Sequence, residues 1–240
     1  MRCATQAAAA IVTETAPRSG TLPFSAGERL EYRASFGKLP VGSGRMLLSG
    51  RDTARGYDAW KASFTISGGF WPVTVHDSIT SWFDSLTLTS VRFAREQREP
   101  RYRASKLFEI FPDRQIYKPR DEPERPAVAD PLDDVPFVYF VRTLPLEPGQ
   151  CYELRRYFRP EGNPVVIRVV RRETVSVPAG TFKAILVRPE ITTSAIFSDN
   201  GRAELWLSDD STHIPVKLQT SLRFGSINLY LSKVERATRP

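Results

Sequence analysis

A chain of 240 residues, 41% hydrophobic and 11% aromatic, holds enough apolar material for a sizeable core, which excludes a disordered chain and a small disulfide-stapled scaffold. No apolar run approaches the roughly 18 residues of a membrane-spanning helix. The net charge of +7 invites an anionic partner, yet Glu96 and Glu99 interrupt the cluster Arg92, Arg95, Arg98, Arg101 and Arg103.

In chain order, Met1–Gly20 holds a short apolar patch, Ala7–Val12, in which Ala8-Ala9-Ala10 resembles a cleavage site. A secretory signal needs a longer apolar centre. Residues 1–21 are therefore expected to be a disordered leader or a signal-peptide remnant, and residues 22–237 a single β domain. With Cys3 in that tail, pairing with Cys151 is not expected.

From Leu22 onward the dominant period is two. Leu30, Tyr32, Ala34 and Phe36 alternate with Arg29, Glu31, Arg33 and Ser35. Trp60, Ala62, Phe64 and Ile66 alternate with Lys61, Ser63 and Thr65, and Val216, Leu218, Thr220 and Leu222 with Lys217, Gln219, Ser221 and Arg223. Extended backbone sends successive side chains to opposite faces, so each run presents one face to a core and one to water. Turn signals lie at Gly37–Gly42, Gly68-Gly69, Glu161–Pro164, Pro178–Gly180 and Asp199-Asn200-Gly201. Asn-Gly supplies both positive φ values of a type I′ turn, which predicts that Ala195–Ser198 and Arg202–Ser208 pair. The pattern predicts an all-β fold of about ten to twelve strands, a large curved antiparallel sheet or an open barrel-like sandwich, with one short helix.

The proline-rich and acidic stretch Lys118–Pro136 reads as a loop. Phe137–Leu144 then reads as one or two helical turns, with Asp133 or Asp134 as N-cap and Pro145 as the stop.

Catalytic constellations are scarce. The only histidines are His76 and His213. His76 and Asp77 are strand neighbours and point to opposite faces, so they make a poor local dyad. His213 follows a turn in which Asp209 and Asp210 bond local amides. That spacing does not match a calcium loop. Asp130, Asp133 and Asp134 are explained by helix capping. No cofactor or metal is called for. The groups Arg155, Arg156, Arg159 and Arg168, Arg171, Arg172 read as solvated outer faces of strands. With no recognition helix, zinc finger or stacking motif beside them, nucleic acid is not the expected partner.

The aromatics carry more. Trp60, Trp71, Trp82 and Trp206 are spread over three strand regions. Converging on a concave face, they would stack on sugars or line an apolar cavity. Trp206 breaks the alternation of Ala203, Leu205 and Leu207 and is expected to face away from them.

Several stretches resemble the bacterial family called domain of unknown function 3108. Phe24-Ser25-Ala26-Gly27-Glu28-Arg29-Leu30-Glu31-Tyr32 resembles its opening F-x-x-G-E-x-L-x-Y pattern, followed by Gly42 and Gly44. Tyr139–Leu146 resembles its helix and exit. Val177–Phe182, Ala203–Asp210 and Ile214-Pro215-Val216 follow in order. The resemblance implies an exported, strand-rich protein of the cell envelope and no known activity. The expected function is a non-enzymatic envelope binding or scaffold protein, periplasmic or exported, whose partner is a lipid, glycan or protein. The alternative is a hydrolase or lyase acting on an envelope polymer.

Overall fold

The computed structural model describes residues 3, 11–12, 22–70, 73–190, 203–222 and 225–236. The strands are β1 (Ile11–Val12), β2 (Arg29–Phe36), β3 (Leu39–Ala54), β4 (Tyr57–Phe70), β5 (Val73–Asp84), β6 (Ser90–Glu99), β7 (Tyr102–Phe111), β8 (Ile116–Pro119), β9 (Arg125–Pro126), β10 (Cys151–Leu154), β11 (Val165–Val177), β12 (Gly180–Glu190), β13 (Ala203–Ser208), β14 (Pro215–Leu222) and β15 (Gly225–Glu235). They form one sheet in the order β1-β10-β11-β12-β13-β14-β15-β2-β3-β4-β5-β6-β7-β8-β9. Every pairing is antiparallel except β1 with β10. The sheet has 15 strands, more than the pattern predicts. The surplus is in β1, β8, β9 and β10, which at two to four residues are too short to show a period.

The sheet curves about its own helix, α1 (Asp134–Val141). One continuous core takes residues from α1 and from every strand but β1 and β9. All eight helix residues are buried. A helix buried all round needs no polar face, which is why its sequence shows so little amphipathic pattern. Tyr139 stacks on Phe83 at 5.7 Å and meets Phe24 edge-on at 4.8 Å. Beside the helix, Phe93, Phe108, Tyr117 and Phe158 form a second aromatic group with centroids 5.3–6.1 Å apart.

Leu30, Tyr32, Ala34, Ala62, Phe64, Val216 and Leu218 are all buried, as their alternation predicts. The helix begins three residues earlier than expected. Pro136 is its third residue, where the N–H it lacks has no intrahelical partner in any case. Asp133 is the N-cap, accepting from the Val135 amide at 3.0 Å. The segment read as a loop also contains β8 and β9.

Gly68-Gly69 is not a turn but lies inside β4, opposite Gly42 of β3. A Cβ on Gly42 would sit 2.1 Å from the Ser67 carbonyl oxygen, and one on Gly68 2.1 Å from that of Val41. The glycines permit close strand approach there. The expected Asn200-Gly201 turn and the Ala195–Ser198 arm lie outside the described residues, while β13 pairs with Ala184–Val187 of β12.

Cys3 and Cys151 form a disulfide, against expectation, with Cα atoms 6.0 Å apart. Cys3 is 1% exposed and packs with Cys151 and Val166. Ile11–Val12 adds a parallel strand to β10. The described part of residues 1–21 is thus fastened to the sheet. No helix among the described residues is long and apolar enough to cross a membrane.

Candidate functional site

The described tryptophans do not converge. Trp60 shares the concave face with Ala62 and Phe64, and lies 6.2 Å from Phe24. Trp82 is paired in register with Lys61, which puts it on the opposite, convex face. There its indole N–H donates to Asp52 at 2.9 Å, and Lys61 and Arg92 lie over the ring at 5.0 and 5.5 Å. That hydrogen bond is the main reason the Asp52 carboxyl titrates below its usual range. Trp206 turns away from Leu205 and Leu207 as expected, yet it is only 5% exposed. Its N–H donates to Glu173 at 2.6 Å, and the Lys217 ammonium sits 3.9 Å from its ring centroid. Trp71 lies outside the described residues.

The histidines serve local contacts. His76 is exposed on the convex face, with Nδ1 2.7 Å from the Ser67 hydroxyl. Asp77 points the other way and pairs with Arg95. His213 Nδ1 lies 2.9 Å from the Arg142 carbonyl oxygen. Asp210 accepts from the Thr212 amide at 2.8 Å and the His213 amide at 3.2 Å, which builds the predicted turn. Burial pushes the Asp210 carboxyl up, and hydrogen bonds from Thr212, Ser208 and His213 more than offset it, so its pKa is lowered. Asp209 is engaged by Arg172 at 3.1 Å.

Three of the stretches that carry the family resemblance meet in the core. Glu28 and Arg142 form a bidentate ion pair, at 2.6 and 2.9 Å, with side chains 2% and 0% exposed. The guanidinium also donates to the Pro23 and Thr212 carbonyl oxygens, both at 3.1 Å, and lies 5.4 Å from the rings of Phe24 and Tyr139. The Tyr32 hydroxyl donates to the Pro215 carbonyl at 2.9 Å. Burial raises the phenol pKa of both Tyr32 and Tyr139. Residues from three separated stretches, 23–32, 139–142 and 212–215, thus tie the helix exit to the start of β2 and the turn before β14.

A second buried node holds the helix entry. Asp133 is fully buried; its Oδ1 accepts from Ser81 and from the Val135 amide, while Oδ2 has no partner. Burial pushes its pKa up to about 7 despite those bonds, and Asp134 beside it adds to the rise. Arg156 is 4% exposed, not on a solvated face as its sequence group implied. It donates to the Asp130 and Thr87 carbonyl oxygens and lies 4.7 Å from the Phe140 ring. Burial lowers its pKa to about 10.

One cavity at the rim is of a different kind. It measures about 250 Å³ and opens between β7, the β8–β9 hairpin and the turn at Pro160–Gly162. Phe108 and Tyr117 form its floor. Lys106, Arg120, Arg125, Arg159, Glu122 and Glu161 surround it, a formal surplus of two positive charges. Sequence reasoning missed this site. Its only signal was the arginine at 159, read with Arg155 and Arg156 as surface.

The fold defines the class: an open, β-barrel-like antiparallel sheet curved around one buried helix. A β-barrel-like protein of domain of unknown function DUF1849 from Brucella abortus superposes with a TM-score of 0.57 at 10% identity, covering 90% of this chain and 99% of its own. The chain belongs to the family described as protein of unknown function (DUF3108), which matches residues 31–232. A Parabacteroides distasonis protein provisionally described as a lipoprotein matches with a TM-score of 0.40 at 11% identity, over 91% of this chain and 100% of its own. A Bacteroides fragilis protein provisionally described as exported, with a YmcC-like fold, scores 0.35 at 11% identity, over 90% of this chain and 98% of its own. No curated protein matches the chain.

Proposed function

We propose that this protein is a non-enzymatic binding or scaffold protein of the bacterial cell envelope, exported to an oxidising compartment. The observation that carries the reading is the state of the concave face. It is filled by the chain's own helix, and the buried Arg142, Asp133 and Arg156 hold that helix or its flanking loops. Arg142 is clamped by Glu28, Asp133 caps α1, and Arg156 binds loop carbonyls. A filled interior supports surfaces, not a reactive cleft. The Cys3–Cys151 disulfide supports export, because such bonds persist in the periplasm and outside cells and are rare in the cytosol.

The test is native mass spectrometry of the protein gently purified from a fractionated bacterial envelope. The expected result is an envelope-fraction protein carrying a bound envelope component. Recovery from the cytosol, or release of products from an envelope polymer at a rate that H76A or H213A abolishes, overturns the reading.

A further inference from the structure

We propose that the rim cavity between β7 and the β8–β9 hairpin is a binding site for a phosphate-bearing group, the size of a sugar phosphate or a lipid headgroup. This rests on the binding-protein reading and names its ligand class.

Three features of the cavity converge. The first is uncompensated charge. Of its four cations, Arg125 is paired with Glu122 at 2.5 Å. Lys106, Arg120 and Arg159 form no ion pair among the described residues, and Glu161 is the one remaining acid of the lining. The formal surplus of two positive charges matches a phosphate dianion better than a carboxylate, which would neutralise only half of it. Guanidinium forks suit tetrahedral oxyanions, because two parallel N–H donors reach two oxygens.

The second is preorganisation. Arg159 lies over Phe108 and Phe158, with its Cζ 5.1 Å from each ring centroid. A cation held against aromatic faces has already lost the side-chain freedom that binding otherwise costs.

The third is an unused polar group. Tyr117 is 5% exposed and part of the floor, and its hydroxyl has no hydrogen-bond partner among the described residues. That hydroxyl is free to donate to an acceptor entering the cavity. The floor itself, Phe108 and Tyr117, offers ring surface for the apolar side of a sugar or glycerol. At about 250 Å³ the cavity is slightly smaller than typical ligand pockets. It therefore takes a headgroup, not a whole lipid.

Isothermal titration calorimetry on the full chain tests this. The probes are inorganic phosphate, glucosamine 1-phosphate and glycerol 3-phosphate, plus vesicles of phosphatidylcholine alone and of an equimolar phosphatidylcholine–phosphatidylglycerol mixture. Binding of at least one phosphate probe is expected, weakening as salt rises. Arg120→Gln, at an exposed position, is expected to weaken it about tenfold or more, as for loss of a charge-assisted hydrogen bond. Arg159→Gln should act similarly and Tyr117→Phe less. Arg98→Gln, on the convex face, should change nothing and reports on generic charge attraction. Thermal melting of each variant separates loss of binding from loss of fold. Binding of soluble esters alone identifies a free phosphate compound, and binding of anionic vesicles alone a lipid headgroup. Either supports the site. No binding of any phosphate probe, or equal binding by wild type, R120Q and R159Q, overturns it. If native mass spectrometry meanwhile shows a different envelope component bound, the binding-protein reading stands without this site.

Discussion

Arg142 and Glu28 stand 114 residues apart in the chain and face each other in the core through two parallel hydrogen bonds. Neither side chain reaches solvent, so each is the other's substitute for water. Replacing Glu28 by Gln leaves a buried guanidinium without its counter-charge, which costs about 3 to 5 kcal/mol. Urea unfolding of E28Q should show a loss of that size. The double variant E28Q/R142M should recover part of it, because a paired removal strands no charge. A double variant as unstable as the sum of both singles would show that the pair is not coupled.

Asp133 gives the fold a pH dependence of unusual sign. Its carboxyl titrates at about 7 in the folded chain against an ordinary 3.8. The folded chain therefore holds a proton that the unfolded chain has released between those values. Its contribution is fully present below about pH 4, is lost as pH rises through 7, and changes no further above. The loss is on the order of 4 kcal/mol. Asp133→Asn keeps the cap acceptor and removes the titration. Urea midpoints measured from pH 5 to 8.5 should fall for the wild type and stay flatter for D133N.

Arg98 of β6 is paired in register with Arg103 of β7, and His76 of β5 with Arg98. Neither arginine has a carboxylate partner among the described residues. Like charges directly opposite one another destabilise a sheet. Arg103→Glu converts the contact to an attraction and should stabilise the protein by about 0.5 kcal/mol. Thermal melts at low and high salt should show the gain and its screening. No gain at low salt would mean the two side chains diverge in solution.

Gly42→Ala and Gly68→Ala each drive a methyl group into the backbone of the neighbouring strand. Since backbone cannot step aside as a flexible side chain does, each should cost about 2 kcal/mol or more. Gly56→Ala is a useful contrast. There a Cβ meets nothing within 4 Å, but φ is +84°, so backbone strain alone is felt. Circular dichroism melts should rank G42A and G68A below G56A.

Where one face of a strand is wet, its sequence is readable. Leu30, Tyr32 and Ala34, or Ala62 and Phe64, announce both extended backbone and the face that is buried. That the helix is capped by Asp133 or Asp134 was equally legible, because capping chemistry is local; the structure selects Asp133. What escaped depends on distant partners. Gly68 reads as a turn until Gly42 is seen opposite. Arg156 reads as surface until Phe140 and the Asp130 carbonyl are beside it. Cys3 reads as tail until Cys151 is within reach. Trp60 and Trp82 lie on opposite faces of the sheet, which escaped because composition says nothing about which face each strand turns inward. The rim cavity was invisible for the same reason: Lys106, Arg120 and Arg159 come from three segments with no shared spacing.

The pairing of β15 with β2 has a consequence for synthesis. β15, the last of the described strands, must find β2, made about 200 residues earlier. Until then β2 offers an unsatisfied backbone edge while the meander from β3 to β9 is already complete. Vectorial emergence, whether from a ribosome or through a translocation pore, thus leaves the molecule sticky until β15 arrives. This is a natural point of engagement for a holding chaperone.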